Sequence, residues 1–102
     1  MKEKLIVACG SGVATSQTIA SKISSMFDND GVDFKVEAVD YKSILNELPD
    51  AGIYVYIAQP DEEVLEKARE LEIKVYPGIP FLTGMGMDDI YESIVADIKN
   101  NS

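Results

Sequence analysis

The stretch with the clearest chemical potential is a lone cysteine followed by a glycine-containing turn. Cys9 ends a short apolar run, residues 4–8, and Gly10 and Gly12 follow it before helix-favouring sequence begins. A strand, a glycine-bearing turn and a helix direct successive backbone N–H groups at one point, where the helix dipole adds positive potential. Such a turn binds anions, and its field favours the nucleophilic thiolate over the thiol. The sequence therefore predicts a phosphate-binding loop around a nucleophilic Cys9.

The predicted loop combines backbone amides with hydroxyl groups. Its seven residues after the cysteine are Gly10, Ser11, Gly12, Val13, Ala14, Thr15 and Ser16. The hydroxyls of Ser11, Thr15 and Ser16 are candidate donors to a bound phosphate. Capping of the helix backbone is the alternative for Thr15 and Ser16. The alternative interpretation of Cys9 is that it serves only as a small buried apolar residue.

Several known loop chemistries do not fit this segment. It lacks the lysine of a nucleotide P-loop, and Thr15 occupies the position of the third glycine in a dinucleotide fingerprint. A cysteine phosphatase or arsenate-reductase-like enzyme is an alternative function, but its loop needs an arginine at position 15, and the one arginine of the chain is Arg69. A non-catalytic regulatory domain is the other alternative. The loop is therefore suited to carry a phosphoryl group taken from a reactive donor.

The residues from Ala8 to Ser16, after an apolar strand, resemble the IIB component of the bacterial phosphoenolpyruvate-dependent sugar phosphotransferase system. The galactitol-type branch is the nearest match, and the segment from Pro80 to Gly86 is similar to that branch as well. The resemblance implies a phosphotransferase in which Cys9 accepts a phosphoryl group from a phosphohistidine on a IIA partner. Cys9 would then pass it to a sugar or sugar alcohol, galactitol-like, bound by a membrane IIC partner. The implied location is cytoplasmic, at the inner face of the membrane through IIC.

Composition agrees with this resemblance. The 102 residues fit a single domain spanning 1–102, and the net charge of −9 argues against nucleic acid and anionic membrane surfaces as partners. No apolar run approaches the roughly 20 residues of a spanning helix, so direct membrane insertion is not expected. One cysteine forms no internal disulfide, which favours the cytosol. With no histidine in the chain, we expect neither a metal site nor a cofactor.

Strand and helix patterns alternate along the chain. Strands are predicted at residues 4–8, 33–39, 52–58 and 73–76, and helices at 14–28, 41–48, from about 61 to 71, and 88–99. Asp40 and Asp61 are expected to cap the second and third helices. This alternation predicts an α/β fold, an open four-stranded parallel sheet of order 2-1-3-4 with helices on both faces, Rossmann-like. Ligands bind where the strand order reverses, between the first and third strands, where Cys9 and Gln59 emerge.

A second candidate surface lies in residues 77–86, which the prolines and glycines predict to be a loop. Its apolar side chains include Ile79, Phe81, Leu82 and Met85. If they are exposed beside Cys9, they form a patch suited to docking a transient partner. The alternative is that they cover the end of the sheet.

Overall fold

The structure of the protein, a computed structural model, contains a four-stranded parallel sheet. The structure describes residues 2–9, 14–57 and 59–100, apart from the side chains of Cys9 and Ala14. Its strands are β1 (Lys4–Cys9), β2 (Lys35–Asp40), β3 (Ile53–Tyr56) and β4 (Lys74–Pro77). They pair in the order β2-β1-β3-β4, and every pairing is parallel. The predicted sheet and its order are confirmed.

Helices cover both faces of this sheet. They are α1 (Ala14–Asp30), α2 (Ile44–Glu47), α3 (Glu62–Glu70), α4 (Ile79–Thr83) and α5 (Met87–Asn100). Because β1 and β3 are central and buried on both faces, their sequences are nearly continuous apolar runs rather than alternating ones. Neither β1 nor β3 has a face open to solvent, which is the arrangement expected of an α/β fold with helices on both sides of the sheet.

The two faces of the sheet carry separate apolar cores. Leu5 and Val7 of β1 lie in one core with residues of α1, α4 and α5. Ile6 and Ala8 lie in the other core with residues of α2 and α3. This division follows from the period of two along a strand, which points successive side chains to opposite faces.

Helix α1 follows the amphipathic pattern closely. Ile19, Ile23 and Phe27 are buried against the sheet, as their spacing predicts. The helix extends two residues beyond the predicted end and is followed by Gly31, whose φ of +69° reverses the chain toward β2.

The prediction of an irregular loop over residues 77–86 is wrong, because this segment contains α4. Pro80 is the second residue of that helix, a position where the missing N–H of proline breaks no helical hydrogen bond. Gly84 ends it with a φ of +81° and donates its N–H to the Pro80 carbonyl oxygen. Proline and glycine here mark the two ends of a short helix.

The helix predicted over residues 41–48 is shorter and less regular than expected. Two 3-10 turns, Tyr41–Ser43 and Leu48–Asp50, flank the single helical turn of α2. Ile44 and Leu48 are its buried residues. A segment this short holds its conformation through these buried side chains, since an isolated helical turn is unstable in water.

Candidate functional site

The candidate site lies at the carboxyl edge of the sheet, where β1 ends. Cys9 is the last residue of β1, its backbone lies beside Asp40 of β2, and Ala8 lies beside Tyr56 of β3. Helix α1 begins at Ala14. The side chains of Cys9 and Ala14, together with residues 10–13, lie outside the described residues. The structure thus shows the strand and the helix that bracket the predicted loop, and the loop itself stays a prediction.

The first turn of α1 contributes two hydroxyl residues to this edge. Thr15 is half-buried, whereas Ser16 is fully buried and takes part in an interaction. Both lie inside the helix rather than at its N-cap position. Phosphate binding by these hydroxyls stays a prediction.

The amino-terminal end of α1 also has a distinct electrostatic character. Its first turn has no acidic side chain, whereas the first turn of α3 has Glu62 and Glu63. Carboxylates at a helix N-terminus offset the positive end of the helix dipole. The first turn of α1 therefore adds no acidic side chain at the positive end of its dipole, in a chain whose net charge is −9.

Two hydrogen bonds involve the connection after β2. The Asp40 carboxylate accepts a hydrogen bond from the Lys42 N–H at 3.0 Å, which confirms the predicted cap. Asp61 occupies the N-cap position of α3, but the prediction that it caps this helix is wrong, because its side chain makes no capping hydrogen bond. Instead, its N–H donates to the Tyr41 hydroxyl oxygen at 2.7 Å.

A buried tyrosine lies beneath these two connections. The Tyr54 side chain is fully buried, and its hydroxyl has no hydrogen-bond partner in the described part of the chain. Burial raises the Tyr54 pKa, and the proximity of Tyr41 and Asp61 raises it further, so the phenol is neutral at physiological pH. The sequence signalled neither the bond from Asp61 to Tyr41 nor this hydroxyl. The predicted strand over residues 52–58 places Tyr54 in the sheet but names no partner for its hydroxyl.

Helix α4 divides the predicted docking residues into two groups. Ile79 and Leu82 are 43% and 42% exposed, and Met85 is 79% exposed. Phe81 is only 1% exposed and packs in the core with α1, so its prediction as a docking residue is wrong. The helical period explains the split, because Ile79 and Leu82 are three residues apart on one face while Phe81 points to another.

The start of α4 is fixed to the same edge as Cys9. The Gly78 N–H donates to the Tyr56 carbonyl oxygen at 2.7 Å, and Tyr56 is the β3 residue beside Ala8. Position 78 has no room for a side chain, since an added Cβ would lie 2.8 Å from Val55 Cγ1 and 3.1 Å from the Tyr56 carbonyl oxygen. The exposed apolar residues of α4 therefore begin two strands away from the end of β1.

The described residues contain no group of three or more acidic, cysteine or histidine side chains placed to hold a metal ion. None of their helices combines the length and apolar character that crossing a membrane requires.

Known proteins resemble the chain along most of its length. A family model described as "PTS system, Lactose/Cellobiose specific IIB subunit" matches residues 4–93. The chain is 26% identical over 99 residues to the PTS system galactitol-specific EIIB component of Escherichia coli (strain K12), which covers 97% of this chain and 99% of that one. The solved lactose-specific IIB component domain of the phosphoenolpyruvate:carbohydrate phosphotransferase system from Streptococcus pneumoniae shares its fold. That comparison has a TM-score of 0.69 at 17% identity, covering 81% of this chain and 84% of that one.

Proposed function

The chain belongs to the family of lactose/cellobiose-specific IIB subunits of the phosphotransferase system, and we propose that Cys9 is the residue that carries the phosphoryl group. Membership of this family supports a role in phosphoryl transfer within the sugar phosphotransferase system. The observation that carries the proposal is the position of Cys9 at the end of β1, followed by α1, whose first turn lacks acidic side chains. That placement favours both a thiolate and a bound dianion.

The proposed chemistry has two transfers. The Cys9 thiolate attacks the phosphorus of a phosphohistidine, an S–P bond forms, the P–N bond breaks, and its electron pair returns to the imidazole nitrogen. A sugar hydroxyl then attacks the phosphorus, a P–O bond forms, the P–S bond breaks and sulfur leaves as thiolate. The hydroxyl proton goes to a base in the acceptor site. The chain contains no histidine, so backbone amides and the helix dipole activate the thiol.

The partners follow from the family. IIB components work with IIA and IIC partners, and we propose that a IIA phosphohistidine protein loads Cys9 and a membrane IIC protein unloads it. The similarity to a galactitol-specific relative makes galactitol, or a related sugar alcohol, the proposed acceptor. Residues 1–102 would act as one domain, held at the inner face of the membrane through IIC.

The exposed apolar residues of α4 and of the segment after it are the proposed docking surface for these partners, called here the α4 patch. They are Ile79 and Leu82 of α4 and Met85 beyond its end, and Asp88 and Asp89, which follow in the sequence, are exposed acids. No basic residue occurs between Lys74 and Lys99. An apolar centre with an acidic rim suits a partner with an apolar patch and a basic rim.

The decisive experiment is intact-mass measurement after incubation with phosphoenolpyruvate and the general and IIA phosphotransferase proteins. Wild-type protein should gain one phosphoryl group, and Cys9→Ala and Cys9→Ser should gain none. A wild-type protein that stays unmodified, or a Cys9→Ala variant that is modified, would contradict the assignment.

The docking surface is tested by the kinetics of the same transfer. Met85→Asp should raise the KM for the IIA donor about tenfold and leave kcat within about twofold, because it places a charge in the contact without touching Cys9. Leu71→Asp is the matched control, since Leu71 is 39% exposed but lies with Lys2 and Gly52 at the amino edge of the sheet. Equal KM values for the two variants would count against the α4 patch.

A further inference from the structure

One hydrogen bond joins the two connections on either side of the strand that ends at Cys9. Tyr41 follows β2 directly, and Asp61 lies between β3 and α3. Because β1 lies between β2 and β3, the bond from the Asp61 N–H to the Tyr41 hydroxyl spans the carboxyl end of β1. Two strand spacings separate these connections by about 10 Å. The Tyr41 side chain bridges that separation.

The surroundings of Tyr41 hold its ring in place. The Asp40 cap on the Lys42 N–H fixes the turn from which the Tyr41 side chain projects. The ring is half-buried and packs against the core that contains Ala8, the β1 residue before Cys9. The Asp40 cap and the packing of the ring therefore set where the hydroxyl lies relative to the end of β1.

The bond also fixes the segment on the other side. Asp61 is exposed and its side chain does not cap α3, so the bond to Tyr41 is what ties its N–H to the neighbouring connection. Pro60, the preceding residue, is buried, and Gln59 is exposed at the point where the strand order reverses. The segment 59–61 is thus positioned beside the end of β1 through its last residue.

We propose that Tyr41 is a positioning residue for phosphoryl transfer, which holds the segment 59–61 against the carboxyl end of β1 by accepting the hydrogen bond from Asp61. This proposal rests on the proposed function of Cys9. Transfer between proteins requires close alignment of the attacking sulfur, the phosphorus and the leaving nitrogen, and small misplacements slow such reactions strongly. A rigid edge next to the nucleophile reduces those misplacements.

Because the bond from Asp61 to Tyr41 is exposed, its effect on phosphoryl transfer can be distinguished from its effect on the stability of the fold. When the Tyr41 hydroxyl is removed, water replaces it as acceptor for the exposed Asp61 N–H, and the ring keeps its packing. Tyr41→Phe should therefore fold normally while the segment 59–61 becomes less firmly placed. A catalytic effect without a matching loss of stability is the signature of positioning.

The test compares Tyr41→Phe with Tyr56→Phe in transfer from the phosphorylated IIA donor. Tyr56 is the matched control, because it ends β3 at the same edge and packs against the same core, and no hydrogen bond of its hydroxyl is found among the described residues. For Tyr41→Phe, we expect kcat to fall about tenfold and KM to stay within about twofold. Both constants should stay within about twofold of wild type for Tyr56→Phe. Amide hydrogen exchange at Asp61 should become faster only in Tyr41→Phe.

The outcomes separate this inference from the function on which it rests. A wild-type protein that gains no phosphoryl group on Cys9 overturns both. If wild type is phosphorylated but Tyr41→Phe keeps its kcat, or loses activity only through KM, the positioning role is overturned and the carrier function stands. The role is likewise overturned if Tyr56→Phe slows transfer as much as Tyr41→Phe does.

Discussion

Removal of the Tyr54 hydroxyl should stabilise the protein. The Tyr54 side chain is fully buried, and its hydroxyl has no partner in the described part of the chain. A buried polar group without a hydrogen bond costs about 1–3 kcal/mol relative to its hydration in the unfolded chain. Tyr54→Phe removes that cost and loses only the packing of one oxygen atom. We therefore expect the free energy of unfolding to rise by about 1 kcal/mol.

The same substitution at Tyr91 should have the opposite effect. Tyr91 is 8% exposed, and its hydroxyl donates to the Asp30 carboxylate at 2.6 Å and lies 2.9 Å from the Met26 carbonyl oxygen. Burial and the bond to Asp30 raise its pKa, so it remains a donor at neutral pH. Tyr91→Phe deletes a hydrogen bond to a charged group, and we expect a loss of about 1–2 kcal/mol, reduced because water reaches Asp30.

Urea unfolding of both variants and wild type, followed by circular dichroism, measures these differences. Equal slopes of the three transitions would show that the midpoints report stability alone. A rise for Tyr54→Phe of about 1 kcal/mol corresponds to a thermal midpoint roughly 4 °C higher for a domain of this size. A loss of more than about 1 kcal/mol in Tyr54→Phe would refute the reasoning, because it would mean that the hydroxyl is hydrogen-bonded in the folded protein.

Two further predictions concern the sheet. Gly78→Ala should lower the free energy of unfolding by about 1–3 kcal/mol in urea titrations, because the new Cβ would lie 3.1 Å from the Tyr56 carbonyl oxygen. An unchanged midpoint would mean that α4 moves aside without cost. The hydrogen bond and charge of Lys4 hold the Glu37 pKa below its ordinary value of 4.5, so this pair contributes stability at neutral pH that is lost as pH falls through that lowered pKa. Wild type should accordingly be more stable than Glu37→Gln at pH 7 by an amount that shrinks below about pH 4.5 and in high salt. A difference that is constant with pH would contradict the ion pair.

Much of the candidate site follows from local sequence. Cys9 after an apolar run, the glycines after it and the start of α1 at Ala14 are neighbours in the chain, and their relation depends only on where a strand ends and a helix begins. The prediction of the Asp40 cap succeeded for the same reason, since it involves an N–H two residues away. Such features depend on backbone conformation over a few residues, which residue type strongly restricts.

The features that sequence did not predict involve residues far apart in the chain. Tyr41 and Asp61 are 20 positions apart, and they meet only because the strand order places their connections on either side of β1. Phe81 was predicted in a loop as a docking residue, but its segment forms a helix that turns this side chain into the core. The Tyr41–Asp61 bond has no local sequence signal, and the helical period around Phe81 becomes informative only once the segment is known to be a helix.

By itself, the sequence determined the α/β alternation, the strand order and the edge at which the cysteine lies, because the burial of a strand on one or two faces is visible in its pattern of apolar residues. Only the tertiary structure decided which apolar residues of α4 face solvent, that the Tyr54 hydroxyl is buried without a partner, and that Tyr41 binds Asp61. The physical reason is that side-chain partners depend on distances between separate elements, which packing of the whole chain sets and no local pattern specifies.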